Sequence, residues 1–215
     1  MIQSQLDSPL KRTPSAEIVS AVRDAMESPH GRLVAMQLGL VAIGEKPASL
    51  RCFVLRACDE RLFGFEGSWW DGKVLLGVLR ADGVAVVEGE NVLRSTSSSQ
   101  VKSVNVAVSL SERRAHHLLR AIRAIQDAAQ TEDRRRSRNL ELRTGALLGY
   151  PRSGTLAWLD RLPTLSKPSV DLESLLGGDL PFSDCIIAAE EPGRSEGVAR
   201  VKRLAAAFRQ AFGVG

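Results

Sequence analysis

The segment VKSVNVAVSLSERRAHHLLRAIRAI, residues 101–125, joins a strand-like pattern to a helix-like one. Its first eight residues alternate weakly between apolar and polar side chains, which favours a β-strand. Ser109 and Glu112 then have the spacing of a capping box, which marks the start of a helix. The helix is predicted to end near Gln130, because an apolar stripe continues at helical spacing: Ala115, Leu118, Leu119, Ile122, Ile125 and Ala129. The chain should therefore be rich in strands up to about residue 108 and rich in helices after it.

Upstream of this segment, short apolar runs predict four further strands. Asp71-Gly72 and Asp82-Gly83 stand between some of these runs, and Asp-Gly dipeptides favour hairpin turns. Short strands joined by tight turns favour an antiparallel β-meander. The predicted strands are residues 52–57, 62–65, 73–79 and 84–88.

Helices are predicted at both ends of the chain. Thr13-Pro14 has the pattern of a helix cap followed by a first-turn proline, and an apolar stripe comes after it. Residues 33–43 fit the helical and the strand period about equally, and we interpret their early part as helical. Near the C-terminus, Cys185–Ala189 is a strand candidate, and Ser195 begins a closing amphipathic helix. We expect an α+β fold, with a flexible lead-in at 1–12, one domain at 13–215 and a possible subdivision near 95–108.

Composition restricts the class of protein. The chain has 215 residues, of which 44% are hydrophobic and 25% charged, as in ordinary globular domains. Its three cysteines are odd in number and lack CxxC spacing, which argues against a disulfide framework and predicts a cytoplasmic location. No apolar run reaches membrane-spanning length, so no membrane partner is expected. His116 and His117 point about 100° apart on a helix, and we expect neither a metal nor a cofactor.

A second segment, LLGYPRSGT at residues 147–155, predicts an anion site. An apolar run ends at Gly149, and Pro151 is suited to begin a helix. Helix starts leave backbone N–H groups unpaired and carry partial positive charge, so they attract phosphate, sulfate or carboxylate groups. A capped turn without a ligand explains the same residues. The expected ligand-binding residues for an anionic small molecule are Tyr150, Arg152, Ser153, Gly154 and Thr155.

The string from Gly149 to Thr155, followed by Trp158-Leu159, resembles the phosphosulfate-binding loop of sulfotransferases. In that family, a Tyr-Pro-Lys/Arg-Ser-Gly-Thr turn holds the 5′-phosphosulfate of the cofactor on backbone N–H groups. The resemblance implies a transferase. In sulfotransferases the loop lies near the start of the chain, after the first strand, whereas 60 residues follow it here. The phosphate contacts implied by the resemblance are Arg152, Ser153, Gly154 and Thr155.

Residues 140–212 resemble a poorly characterised family in which a Leu-Leu-Gly-Tyr-Pro turn opens a late helix. This resemblance implies a small α+β domain and no particular activity. Its members often continue with paired cysteines, where this chain has Arg152 and Ser153. One structural feature separates the interpretations of the turn. A strand that leads into it favours a phosphate cradle, and a helix favours a capped turn and this second resemblance.

The predicted helix after Ser109 and the charge run after it provide an alternative binding surface. Arginine and histidine side chains lie on the face opposite the apolar stripe, where they are suited to bind nucleic acid or an acidic protein. Acidic residues are interleaved with them, so a solvated face is the competing interpretation. The residues of this predicted surface are Arg113, His117, Arg120, Arg123, Arg134, Arg135 and Arg138.

Overall fold

The computed structural model describes residues 12–28, 31–55, 62–63, 72–95, 100–131, 133–161, 178–179 and 194–214. Within these ranges the chain forms helices and the strands of a sheet, in the following order. The elements are α1 (Ala16–Glu27), α2 (Gly31–Ala42), β1 (Ala48–Leu55), β2 (Leu62–Phe63), α3 (Lys73–Ala81), β3 (Ala85–Ser95), β4 (Gln100–Ser109), α4 (Glu112–Gln130), α5 (Arg134–Leu148), α6 (Arg152–Arg161) and α7 (Arg194–Phe212).

The strands form one antiparallel sheet with the order β2-β1-β4-β3. Strand β4 lies between β1 and β3, and its central position makes it buried on both faces. Ser109, at its end, pairs with both Ala48 and Ala85. The predicted α+β class with an antiparallel sheet is therefore confirmed, and the strand predicted at 101–108 is the centre of the sheet.

The strand predicted at 73–79 is wrong, because these residues belong to helix α3. The buried side chains of α3 are Leu75, Leu76 and Leu79, which share one face of a helix. Gly83 has a φ of 79°, and the following backbone N–H, from Val84, donates to the carbonyl of Leu79. Asp82-Gly83 therefore ends a helix in a Schellman motif rather than forming a hairpin turn. Because a helix replaces one strand and β1 pairs with β4, the sheet departs from a simple meander.

Helices cover both faces of the sheet. Alternate residues of β4 point to opposite faces, and Val104, Val106 and Val108 join the main core. This core also contains side chains of α1, α2, α3 and α7. On the other face, Ala48 and Ala107 pack against Ala115 and Leu118 of α4. Helix α5 packs on α4 and thus forms the outer part of this second layer.

Helix α2 is the centre of the main core. Every residue from Val34 to Ala42 is buried, because α1, α7 and the sheet surround the helix. At Gly39, the rings of Phe208 and Phe212 approach so closely that the helix has room only for a hydrogen. The helical interpretation of the early part of residues 33–43 is confirmed, and the helix continues to Ala42. The closing helix predicted from Ser195 is also confirmed.

Two predicted helix caps are wrong, and in both cases a serine two residues later is the cap. Ser15 rather than Thr13 caps α1, since its hydroxyl accepts from the N–H of Ile18 at 3.3 Å. Ser111 rather than Ser109 caps α4. The Ser109 hydroxyl instead donates to the carbonyl of Pro47 at 2.7 Å, so tertiary contact replaces the capping box.

Candidate binding surfaces

Helix α5 leads directly into the turn at residues 149–151. Gly149 has a φ of 80°, and its N–H donates to the carbonyl of Ala146 at 3.1 Å. The N–H of Tyr150 donates to the carbonyl of Gly145 at 2.8 Å, which completes a Schellman motif. The carbonyl of Pro151 then accepts the first hydrogen bond of α6, from Thr155. A helix rather than a strand therefore precedes the turn, which is the arrangement of a capped turn.

The turn is held against the loop before β1. A Cβ atom on Gly149 would lie 2.6 Å from the ring of Pro47, so the backbone and the proline are in close contact. Arg200 of α7 donates to the carbonyl of Gly149. Because this carbonyl lies at the negative end of α5, the guanidinium also stabilises the helix dipole.

A buried lysine lies beneath the tyrosine of this turn. Lys46 is 2% exposed, and its Nζ lies 5.2 Å from the centre of the Tyr150 ring. The same Nζ donates to Oε1 of Gln37 at 3.2 Å, and Ser49 donates to that oxygen at 3.0 Å. These contacts supply hydrogen-bond and cation–π stabilisation for a charge removed from water. The sequence pattern Gly-Glu-Lys-Pro predicts only a turn, so it contains no signal for this cluster.

The five residues predicted to bind an anion have different environments. Arg152 is exposed, and within the described part of the chain its side chain has no ion-pair partner. Gly154 and Thr155 are buried, and the Thr155 hydroxyl donates to the carbonyl of Pro151 at 3.0 Å. Tyr150 is half-buried, and the side chain of Ser153 lies outside the described residues.

Thr155 has a packing role that the sequence does not reveal. It lies against Gly145 of α5, where an added Cβ would be 2.7 Å from its Oγ1. Gly145 thus allows α5 and α6 to approach each other closely. A hydroxyl that already donates to the carbonyl of Pro151 is poorly placed to donate to a ligand, so Arg152 is the most accessible of the four predicted residues whose side-chain environment is described.

The basic residues of α4 and α5 are solvent-exposed, apart from Arg114, which is half-buried. Between residues 112 and 143 there are nine arginines and five acidic residues, a net charge of +4 that equals the charge of the whole chain. Two of the five acidic groups accept other hydrogen bonds, since Asp133 caps α5 and Glu141 accepts from Ser137 at 3.2 Å. Arg138 pairs with Asp160 at 2.7 Å. All seven residues predicted for the surface are exposed: Arg113, His117, Arg120, Arg123, Arg134, Arg135 and Arg138.

A groove of about 460 Å³ lies between α4 and α5. Arg120 and Arg143 line it together with His117, and no acidic residue is among its described lining residues. In the described part of the chain, Arg120 and Arg143 make no ion pair. The rest of the lining is apolar and consists of Ala121, Ala124, Leu140, Ala146 and Leu147. The predicted surface includes His117 and Arg120 of this groove but neither Arg143 nor the apolar floor, because the floor forms only when the two helices pack as a hairpin.

A second groove, of about 350 Å³, lies between α4 and the bulged part of β3. Arg120 and Arg123 contribute to it, but so do Glu88 and Asp127. Charges of both signs line this groove, so the groove between α4 and α5 is the better site for an anionic partner.

The described residues contain no cluster of three or more histidine, cysteine or acidic side chains arranged to bind a metal ion. Across the same residues, no helix has both the length and the apolar character that are needed to span a bilayer. No family model, curated protein or solved structure matches this chain.

Proposed function

We propose that this protein is an interaction module that binds an acidic macromolecule through the exposed basic surface of α4 and α5. The observation that carries the proposal is the groove between the two helices, where Arg120 and Arg143 lie beside His117 with no carboxylate among the described lining residues. A cluster of cationic side chains attracts an anionic partner and accelerates its association. A cytoplasmic location is part of the same proposal and rests on the sparse cysteines of the sequence.

The charge distribution supports an interaction surface over a solvated face. A solvated face is usually neutralised by ion pairs, as at Arg138–Asp160, but within the described residues the groove-lining Arg120 and Arg143 make no ion pair. Arg120 and Arg143 are cations on neighbouring helices, and like charges repel one another, so an acidic partner that neutralises them would lower the free energy of this face.

The test is binding of a labelled poly-glutamate and of a 20-base-pair DNA, each as a function of salt concentration. Affinity for a phosphate partner falls as salt rises, so log affinity against log salt has a negative slope. Removal of two cations by Arg120→Gln with Arg143→Gln should make that slope shallower by about two. A matched variant, Lys202→Gln with Arg203→Gln, removes two exposed charges from α7 and should leave the slope unchanged.

Two results contradict the proposal. The first is that neither probe binds at low salt. The second is that the α4–α5 variant and the α7 variant weaken binding equally, since net charge rather than the surface would then determine affinity.

A second candidate function is binding of an anionic small molecule at the turn of residues 149–152. Three cations surround this turn and favour the candidate, because Lys46 lies under Tyr150, Arg200 binds Gly149 and Arg152 is exposed at the start of α6. A charge-assisted contact of Arg152 with a ligand is expected to contribute about 1.5–3 kcal/mol. Calorimetry of the Arg152→Ala variant with panels of nucleotides and phosphosulfates tests this candidate. Unchanged affinity for a confirmed ligand would show that Arg152 does not contact the ligand.

A further inference from the structure

We infer that the groove between α4 and α5 binds an acidic amphipathic helix of a protein partner. This inference rests on the proposed function and adds the chemistry of the partner to it. The decisive feature is the combination of an apolar floor with cationic side chains on both helices.

The lining residues recur at helical spacing on each side of the groove. On α4 they are His117, Arg120, Ala121 and Ala124, and on α5 they include Leu140, Arg143 and Leu147. Both sets follow the i, i+3, i+7 pattern, so each helix presents one continuous stripe to the groove. From 117 to 124 the stripe extends about 10 Å, which matches two turns of a third helix.

Small side chains in the floor permit close approach of a partner backbone. Ala121 and Ala124 are half-buried, which leaves part of each methyl group open to solvent. The side of α4 that faces the sheet buries Ala115 and Leu118. The groove is therefore lined by a different stripe of α4 from the one that packs on the sheet. A third helix in the groove would pack against both α4 and α5, as helices pack in bundles.

Charge and shape together distinguish this partner from the alternatives. Arg120 and Arg143 favour carboxylates, whereas apolar side chains at i, i+3, i+4 and i+7 of a partner helix suit the floor. Nucleic-acid backbones bind through phosphate contacts and do not need an alanine and leucine floor. Small ligands bury most of their surface, but His117, Arg120, Arg143 and Ala146 are all exposed.

The experiment compares three probes on the full chain by fluorescence anisotropy. The first probe is an amphipathic peptide of ~18 residues with leucines in an i, i+3, i+4, i+7 stripe, glutamates beside that stripe, and alanines and glutamines at the remaining positions so that like charges do not disrupt the helix. The second is a scrambled peptide of the same composition, and the third is a 20-base-pair DNA. The amphipathic peptide is expected to bind about tenfold more tightly than the scrambled one.

Two matched substitutions in α4 test the floor. Ala124→Gln places a polar group in the groove, while Ala129→Gln makes the same change at an exposed position outside it. Ala124→Gln should weaken binding of the amphipathic peptide about fivefold, because apolar contact with the floor is lost. It should leave binding of the scrambled peptide unchanged. The second should change neither affinity. Circular dichroism of both variants confirms that α4 is retained.

Equal binding of the two peptides, or DNA binding that the amphipathic peptide fails to displace, overturns the inference and leaves the proposed function intact. Failure of all three probes to bind at low salt removes the proposed function and the inference with it. Equal effects of Ala124→Gln and Ala129→Gln on the amphipathic peptide also overturn the inference, since the groove is then not the contact surface.

Discussion

The same substitution, glycine to alanine, should have opposite effects on stability at Gly39 and Gly77. Both glycines lie inside helices, where alanine is favoured by about 0.5–1 kcal/mol. At Gly77 the added methyl group meets no atom within 4 Å, and the position is exposed. Gly77→Ala should therefore stabilise the protein by about 0.5–1 kcal/mol.

At Gly39 the methyl group would lie 2.6 Å from Cε2 of Phe208 and 3.0 Å from Cε2 of Phe212. Carbon atoms in favourable contact are about 3.5–4.0 Å apart, so the overlap is close to 1 Å. Both rings are fully buried, with their centres 4.6 Å apart, and neither can move without displacing the other. Overpacking of a core costs about 1–3 kcal/mol, which exceeds the gain in helix propensity. We expect Gly39→Ala to destabilise the protein by about 1–2 kcal/mol.

Thermal melts followed by circular dichroism measure both effects. For a chain of this size, 1 kcal/mol corresponds to about 2–4 °C, so Gly77→Ala should raise Tm by about 1–4 °C and Gly39→Ala should lower it by about 2–8 °C. Phe208→Leu removes the clashing ring carbon, so its combination with Gly39→Ala should cost less than the sum of the two single changes. A Gly39→Ala protein as stable as the original would refute the close packing of α2 against α7.

Two further predictions concern the turns and caps, and urea denaturation measures both. Ser15→Ala should lower the free energy of unfolding by about 1 kcal/mol, because the Ser15 hydroxyl caps α1. Thr13→Ala, at an exposed position, should lower it by less than about 0.5 kcal/mol. Equal losses of stability would contradict the assignment of Ser15 as the cap. Gly149→Ala should lower the free energy of unfolding by about 2 kcal/mol or more, because a residue in the left-handed conformation acquires a methyl group that overlaps the Pro47 ring. An unchanged denaturation midpoint would contradict this geometry.

Periodicity predicts the outer elements well because these have one buried face. Helices α1 and α4 bury Ile18, Val22, Ala115 and Leu118 at helical spacing, and the sequence predicts both helices. Helix α2 is surrounded on all sides, so its apolar residues follow no single stripe and fit either period. The error at α3 has a different cause. Asp82-Gly83 supplies a left-handed residue, and such a residue ends a helix as readily as it forms a hairpin turn.

The candidate surfaces were predictable to different degrees. Exposed arginines of α4 and α5 can be identified from sequence, since charged residues opposite an apolar stripe remain in water. The placement of Ala124 and Leu140 in one groove depends on how the hairpin closes, which the pattern of a single helix does not contain. The sequence gives no signal for the Lys46 cluster for a related reason, because Lys46 lies beneath Tyr150, which is more than a hundred residues further along the chain.

Helix α5 gives a further reason to assign a binding role to this face. Among its described residues only Thr144 and Gly145 are buried, so the helix contributes little to either core. An isolated helix of 15 residues is marginally stable in water, and α5 is stabilised by its Asp133 cap, its Gly149 terminus and its packing on α4. Its first turn nevertheless contains three consecutive arginines, which repel one another at the positive end of the helix dipole. A cationic first turn weakens a helix that already buries little, and this cost would be offset when an acidic partner neutralises the charge.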